Sequence, residues 1–299
     1  MPVMSNPPFL DPPPGTRRTT ITTTRGSFAA LDLPAAGVER GLALLVPGFT
    51  GSKEDFIAVL EPLAVAGWRV VTYDQRGQYE SAGLGSRPDD PAEAYAIEAL
   101  GQDVLAVVDA LGRRPHLVGH SFGGLVARAA VLGAPGRFAS LTLLASGPGA
   151  MPGAQQRQAL LQLEQALPVF GIEAVWRAKC ELDRATGWWP PENPETAEFL
   201  ERRFLANSPT GLAAKARQLR TAPDEVEALS RVIATSGGPP AQVVFGEHDD
   251  GWPVSDQEQM AERLGVPAVC IPGAVHSPAA ERPAETAAVL DAFWRSAER

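Results

Sequence analysis

The heptapeptide Val118-Gly119-His120-Ser121-Phe122-Gly123-Gly124 constrains this chain more than any other stretch. Just before it, Pro115-His116-Leu117-Val118 is a short apolar run of the kind that makes a buried strand. Just after it, Leu125 to Leu132 reads as the start of a helix that Gly133 stops. A serine with glycines two residues to either side, between strand and helix, is a nucleophile elbow, G-x-S-x-G. The turn strains the serine backbone, and bulky neighbours would clash with the adjoining strand and helix. With Gly119 and Gly123 lacking side chains, Ser121 can lift its hydroxyl above the sheet edge. The backbone N–H of Phe122 then faces any oxyanion that forms beside that hydroxyl. A chain with 29 glycines can produce such a pentapeptide by accident, but the strand before it and the helix after it argue against accident.

A chain of 299 residues can bury a full core and fits one large α/β domain with an insertion. It carries 35 acidic against 26 basic residues, a net charge of −9, and shows no block of Lys or Arg. That balance disfavours nucleic acid and anionic membrane surfaces as partners and leaves a small-molecule substrate; nothing in the sequence assigns an oligomeric state. Cys180 and Cys270 stand far apart, so no disulfide framework is implied, and both are expected as buried small hydrophobes in a reducing compartment. Residues 1–18 are proline-rich without an apolar signal core, and no stretch is long and apolar enough to span a bilayer. A soluble, cytoplasmic protein is the expectation.

Residues 1–18 read as a flexible arm, because Pro7-Pro8 and Pro12-Pro13-Pro14 offer no donors to helix or ladder. Thr19 to Thr24 and Ser27 to Leu33 are β-prone runs around Arg25-Gly26, a hairpin signal. Gly41 to Pro47 is continuously apolar, as for a central strand covered on both faces. A helix over Lys53–Ala66, a strand over Trp68–Asp74, a long helix over Ala92–Leu111, the elbow strand at 115–119 and a strand over Phe138–Ala145 follow. Such alternation is the signature of a largely parallel sheet covered by helices. From about Gly147 to Ser236 no convincing strand occurs, only candidate helices at Ala154–Leu167, Ile172–Arg184, Pro194–Ala206 and Thr210–Thr221. Alternation resumes with Ala241–Phe245, Ser255–Leu264, Ala268–Ile271 and a last helix at Pro283–Ser296. The expected organisation is therefore a core of 19–146 and 237–299, with 147–236 as a helical cap after the sixth strand. Between 154 and 236 ten basic and eleven acidic residues nearly cancel, so the cap should not attract strongly charged substrates.

A serine hydroxyl is a poor nucleophile unless a histidine takes its proton and an acid orients that histidine. Of the four histidines, His116 and His120 sit in the elbow strand and motif, positioned for packing or local hydrogen bonds. His248 reads as a polar loop residue. His276 follows the last strand, on a loop at the carboxyl end of the sheet where Ser121 also lies. The acid should follow the strand at 241–245, where Glu247, Asp249 and Asp250 are available, and the order Ser, Asp, His suits this architecture. A metal site of His248, Asp249 and Asp250 is the rival reading, with no other ligand cluster to support it. In Pro47-Gly48-Phe49-Thr50-Gly51-Ser52, the loop after the third strand, the N–H of Phe49 is the second candidate oxyanion donor; alone, the loop reads equally as a plain strand-to-helix turn.

Taken together these stretches resemble the α/β-hydrolase superfamily from about residue 19 to the end. The matching residues are Gly119–Gly123, Pro47–Ser52, Tyr73-Asp74-Gln75-Arg76-Gly77 followed by Ser81, Gly246…Asp249…Pro253, and His276 followed by Glu281-Arg282-Pro283. The resemblance implies an α/β-hydrolase fold, a mostly parallel central sheet flanked by helices. Its G-x-x-D-x-x-x-P spacing selects Asp249 over Asp250. Two departures stand out: Pro47-Gly48 where members often carry His-Gly, and Gln78-Tyr79-Glu80 in the His-Gly-x slot of D-x-R-G-H-G-x-S, which unsettles the usual pocket rim.

What the resemblance implies chemically is hydrolysis through an acyl-enzyme, with Ser121 as nucleophile, His276 as base, Asp249 orienting it, the N–H groups of Phe49 and Phe122 binding the oxyanion, and no metal or cofactor. Serine rather than aspartate at the elbow argues against the dehalogenase and epoxide hydrolase branches. Carboxylic-ester hydrolysis is the first expectation. Carbon–carbon, lactone or amide hydrolysis, acyl transfer and cofactor-free perhydrolysis stay open, as does a non-catalytic small-molecule receptor. In the cap, Trp188 and Trp189 precede Pro190-Pro191 between helices. They either glue cap to core or, with Phe49 and Phe122, wall an apolar pocket.

Overall fold

A computed structural model describes residues 4–83, 90–185, 187, 191 and 193–298. Its strands are β1 (Arg17–Thr23), β2 (Gly26–Leu33), β3 (Gly41–Val46), β4 (Trp68–Tyr73), β5 (His116–His120), β6 (Ser140–Leu144), β7 (Ala241–Gly246) and β8 (Ala268–Ile271). They form one eight-stranded sheet in the order β1-β2-β4-β3-β5-β6-β7-β8. β1 and β2 make the expected hairpin and β2 pairs antiparallel with β4, while every other neighbouring pair is parallel.

The period of two along β3 shows why helices cover both faces. Leu42, Leu44 and Val46 pack into one core with α2 (Ile97–Leu111) and α3 (Phe122–Gly133). Ala43 and Leu45 point the other way, into a second core with α1 (Ile57–Val65) and, from the end of the chain, the helix Pro283–Ala297.

Between β6 and β7 the described residues carry helices only: α4 (Ala154–Ala185), α5 (Pro194–Leu205), α6 (Pro209–Thr221) and α7 (Val226–Ile233). The two helices expected over 154–184 run on as α4 but bend at Gly171, whose φ of 77° and ψ of 166° leave the helical region. α7 was not expected; the Asp224 carboxylate, just ahead of it, accepts the N–H of its first residue, Val226, at 3.0 Å. After β7 come α8 (Val254–Leu264), the short α9 (Pro278–Glu281) and α10 (Pro283–Ala297).

Other expectations shift for tertiary reasons. The helix foreseen from Ala92 starts as a 3-10 turn, and Ala96 is extended before α2. Tyr95 is fully buried there, its hydroxyl on Ser208 Oγ at 3.1 Å, and Gln218 of α6 caps the Ile97 N–H. Cys270 is exposed rather than buried, because β8 is the sheet's edge strand. The proline-rich segment expected as a flexible arm is laid onto the body from residue 4. Met4, Ser5, Pro7 and Pro13 are buried, since apolar surface and one backbone carbonyl find partners there.

Candidate active site

At the carboxyl ends of β5, β7 and β8 three side chains meet. Ser121 is the residue between β5 and α3, with φ 55° and ψ −122°. A non-glycine residue rarely adopts that region, and the surrounding packing holds it there. A Cβ on Gly119 would come within 2.3 Å of the Gly123 carbonyl oxygen, and one on Gly123 within 2.4 Å of the Val46 oxygen. Only glycine lets strand, turn and helix approach this closely.

His276 Nε2 lies 2.9 Å from Ser121 Oγ, and His276 Nδ1 lies 2.8 Å from Asp249 Oδ1. All three residues are buried. Asp249 is held from two further sides, by the Gly251 N–H on Oδ1 and by Gln257 Nε2 on Oδ2, each at 2.8 Å. Since a carboxylate only accepts, Nδ1 of His276 carries the proton and Nε2 is left to accept from the serine hydroxyl. Burial disfavours the charged ring, but the Asp249 hydrogen bond and the charges of Asp249, Asp250 and Glu281 outweigh it and raise the pKa of His276 above its ordinary 6.5. Burial likewise opposes ionisation of Asp249. Its bonds from His276, Gln257 and Gly251 prevail and hold the carboxyl below its usual range.

The two backbone donors singled out in the sequence flank this run. Phe122 opens α3, so its N–H has no intrahelical acceptor. Phe49 and Gly48 line a cavity of about 30 Å³ together with Ser121, His276, Met151 and Leu219. Gly48 packs against the elbow so closely that a Cβ there would lie 3.2 Å from Ser121 Cβ. Gln78 Nε2 donates to the Gly48 carbonyl at 2.7 Å and to the Phe49 carbonyl at 3.1 Å. Gln75 Nε2 donates to the Pro47 carbonyl at 2.7 Å, and its own N–H is received by Gln78 Oε1 at 3.0 Å. In a trans peptide the C=O and the following N–H point oppositely. With the Gly48 carbonyl turned onto Gln78, the Phe49 N–H points away from it.

The departure at 78–80 therefore has a structural account. Gln78 is fully buried and clamps the loop, and Tyr79 takes a φ of 35° where a glycine is usual. Lys53 Nζ sits 4.7 Å above the Tyr79 ring, Phe199 of α5 meets it edge-on at 5.7 Å, and Arg202 donates to its hydroxyl at 3.3 Å. These contacts hold the strained residue.

His248 is exposed and does not join the others. Asp249, Asp250 and His276 do have ligand atoms within 4.8 Å of one another, but Nδ1 of His276 is already committed to Asp249. Trp188 and Trp189 lie outside the described residues. Gln75, Gln78 and Gln257 went unassigned in the sequence, and His120 was read only as a residue for packing or local hydrogen bonds. Only for Gln78, in a slot usually held by histidine, was there a signal.

The Alpha/beta hydrolase family matches residues 43–289. A protein of Variovorax paradoxus (strain S110), named "Putative carbamate hydrolase RutD", is 36% identical over 166 residues, which is 50% of this chain and 60% of that protein. A proline iminopeptidase of Lactobacillus helveticus (strain DPC 4571) is 37% identical over 91 residues, 30% of each chain. The matched stretches thus span 60% and 30% of these relatives, each less than two thirds. A solved hydrolase from Pseudomonas aeruginosa PA01 superposes with TM-score 0.69 at 26% identity, over 92% of this chain and 98% of that one. A thermophilic esterase from Thermogutta terrifontis shares the fold with TM-score 0.72 at 24% identity, over 95% and 100%.

Proposed function

The chain belongs to the alpha/beta hydrolase family, and from that membership we propose that it is a serine hydrolase that cleaves a small, fairly apolar carboxylic ester through an acyl-enzyme. The observation that carries this reading is the unbroken run Asp249 Oδ1, His276 Nδ1, His276 Nε2, Ser121 Oγ, with links of 2.8 and 2.9 Å.

Ser121 Oγ attacks the ester carbonyl while His276 Nε2 takes its proton, and the charge left on the ring is met by Asp249. The N–H groups of Phe49 and Phe122 receive the developing oxyanion, with the Gln75–Gln78 pair keeping the Phe49 peptide turned the right way. His276 then protonates the leaving alcohol, and on the return step activates the water that frees the acid. The pocket wall of Phe49, Met151 and Leu219 suits an apolar group. Residues 147–236 act as the cap, and Leu219 of α6 is among the residues it brings to the pocket.

Carbamate hydrolysis is the second reading, favoured by the name of the Variovorax relative; the same groups would attack a carbamoyl carbonyl. Fluorophosphonate labelling followed by peptide mapping tests the nucleophile, with Ser121 expected to carry the adduct. Comparing kcat/KM on phenyl butyrate and a phenyl carbamate separates the two substrates. If neither is turned over and Ser121 stays unlabelled, the proposal fails.

A further inference from the structure

The open space beside Ser121 and His276 is narrow, and the chain's own N-terminal segment forms part of its wall. At about 30 Å³ the space beside Ser121 and His276 holds little more than a water molecule. Ser5 is part of its wall, and Met4 is buried in the core beside it. No helix or strand secures residues 4–16.

What holds Ser5 is a guanidinium. Arg203 of α5 is completely buried and donates through Nη2 to the Ser5 carbonyl at 2.7 Å. Its Nη1 donates to Asp55 Oδ1 at 2.6 Å, and Asp55 lines the same cavity. Phe199 flanks the guanidinium, with its ring centroid 5.2 Å away. Arg203 Nε, also buried, meets no acceptor among the described residues. A guanidinium neutralised by one carboxylate and aimed at a backbone carbonyl is set to bind an uncharged acceptor oxygen.

We propose that Met4–Ser5 is a displaceable strap lying where substrate binds, and that Arg203, oriented by Asp55, binds a second, neutral carbonyl of the substrate in the place now taken by the Ser5 carbonyl. The substrate class is then an ester whose acyl or alcohol part carries an amide or ester carbonyl. This rests on the serine-hydrolase reading. Exchanging one carbonyl for another leaves the buried pair satisfied, whereas an all-alkyl substrate that expels the strap would strand an Arg203 donor.

The test uses two variants of the full chain. Met4→Ala loosens the strap without touching the catalytic groups. Arg203→Met combined with Asp55→Leu removes both buried charges together, and if it does not fold, Arg203→Lys, which loses the planar fork, takes its place. The readouts are the second-order rate constant for fluorophosphonate labelling of Ser121 and the ratio of kcat/KM for p-nitrophenyl N-acetylglycinate over p-nitrophenyl pentanoate. Met4→Ala is expected to raise the labelling rate roughly fivefold, and the Arg203 variant to lower the ratio about tenfold. Labelling that Met4→Ala leaves equal or slower, or a ratio the Arg203 variant leaves unchanged, overturns the inference while the serine-hydrolase reading stands. No label at Ser121 in either the wild type or Met4→Ala overturns both.

Discussion

His120 Nε2 donates to the backbone carbonyl of His276 at 2.7 Å. The residue just before Ser121 thus anchors the loop that carries His276, 156 positions away in sequence. Because a carbonyl can only accept, His120 is held as the Nε2–H tautomer. Burial first, and then the neighbouring His276, push its pKa down to about 4, so it stays neutral. Phe at this position keeps ring packing against Phe56, now edge-on at 6.4 Å, but removes the donor. His120→Phe is expected to lower kcat on an aryl ester by about tenfold, with a smaller change in KM. Steady-state kinetics with a thermal melt check this; an unchanged kcat would show that the anchor is dispensable.

Ser121→Ala deletes the only hydroxyl on His276 Nε2 among the described residues. Esterase activity should drop by roughly 10^4-fold or more, with a wild-type circular dichroism spectrum. More than a tenth of wild-type turnover on a short-chain aryl ester would reject the nucleophile.

The neighbouring aspartates should separate sharply. Asp249 is buried and bonded to His276, Gln257 and Gly251, while Asp250 is exposed. Asp249→Asn favours the wrong histidine tautomer and should cost several orders of magnitude in kcat, on the order of 10^4. Asp250→Asn should cost about tenfold or less, since its influence on His276 is only a through-space charge. A reversed ranking in kcat would place the acid wrongly.

The pH profile follows from the same contacts. With His276 as the proposed base, the neutral ring is the active form, so kcat/KM should rise with pH as it deprotonates. Its pKa is raised above 6.5 against the effect of burial, chiefly by Asp249, which puts the acid limb above 6.5. His120, titrating near 4, adds no second step in the neutral range. In Asp249→Asn the raising carboxylate is gone and burial remains, so the limb should move to lower pH. Profiles of both proteins on one ester decide this, and an upward shift in the variant would contradict it.

Gln78→Glu keeps the size of a buried side chain but sets carboxylate oxygens against the Gly48 and Phe49 carbonyls. The loop should rotate away and misplace the Phe49 N–H. The expected result is a loss of roughly tenfold to a hundredfold in kcat, less than removing an oxyanion donor outright. Gln78→His, which restores a ring donor at the position, should recover part of it. Equal kcat in Gln78→Glu and wild type would mean the clamp has no catalytic consequence.

The sheet, the elbow and the three residues Ser121, Asp249 and His276 were legible in the sequence because each depends on local signals. Apolar runs such as Gly41–Val46 declare a strand covered on both sides, and the glycines at 119 and 123 declare a turn that nothing bulkier can make. His276 and an acid among Glu247, Asp249 and Asp250 announce themselves by position, on loops that follow strands of a parallel sheet and converge at one end, while only the spacing that the family resemblance supplies selects Asp249. Polar side chains that act on distant partners carry no such signal. A glutamine or arginine reads the same whether it faces water or a buried carbonyl, so the departure at Gln78 was visible in the sequence but its partner, the Gly48 loop 30 residues back, was not, and Arg203 on Ser5 198 residues back appeared only with the fold. The same holds for residues 4–16. Prolines rule out helix and ladder there, which suggested a loose arm, yet they do not decide whether a neighbouring Met4 finds a core to enter. Tertiary structure decided that, because burial and hydrogen-bond partnership are properties of pairs brought together by the fold, whereas turn sterics and strand periodicity belong to the chain itself.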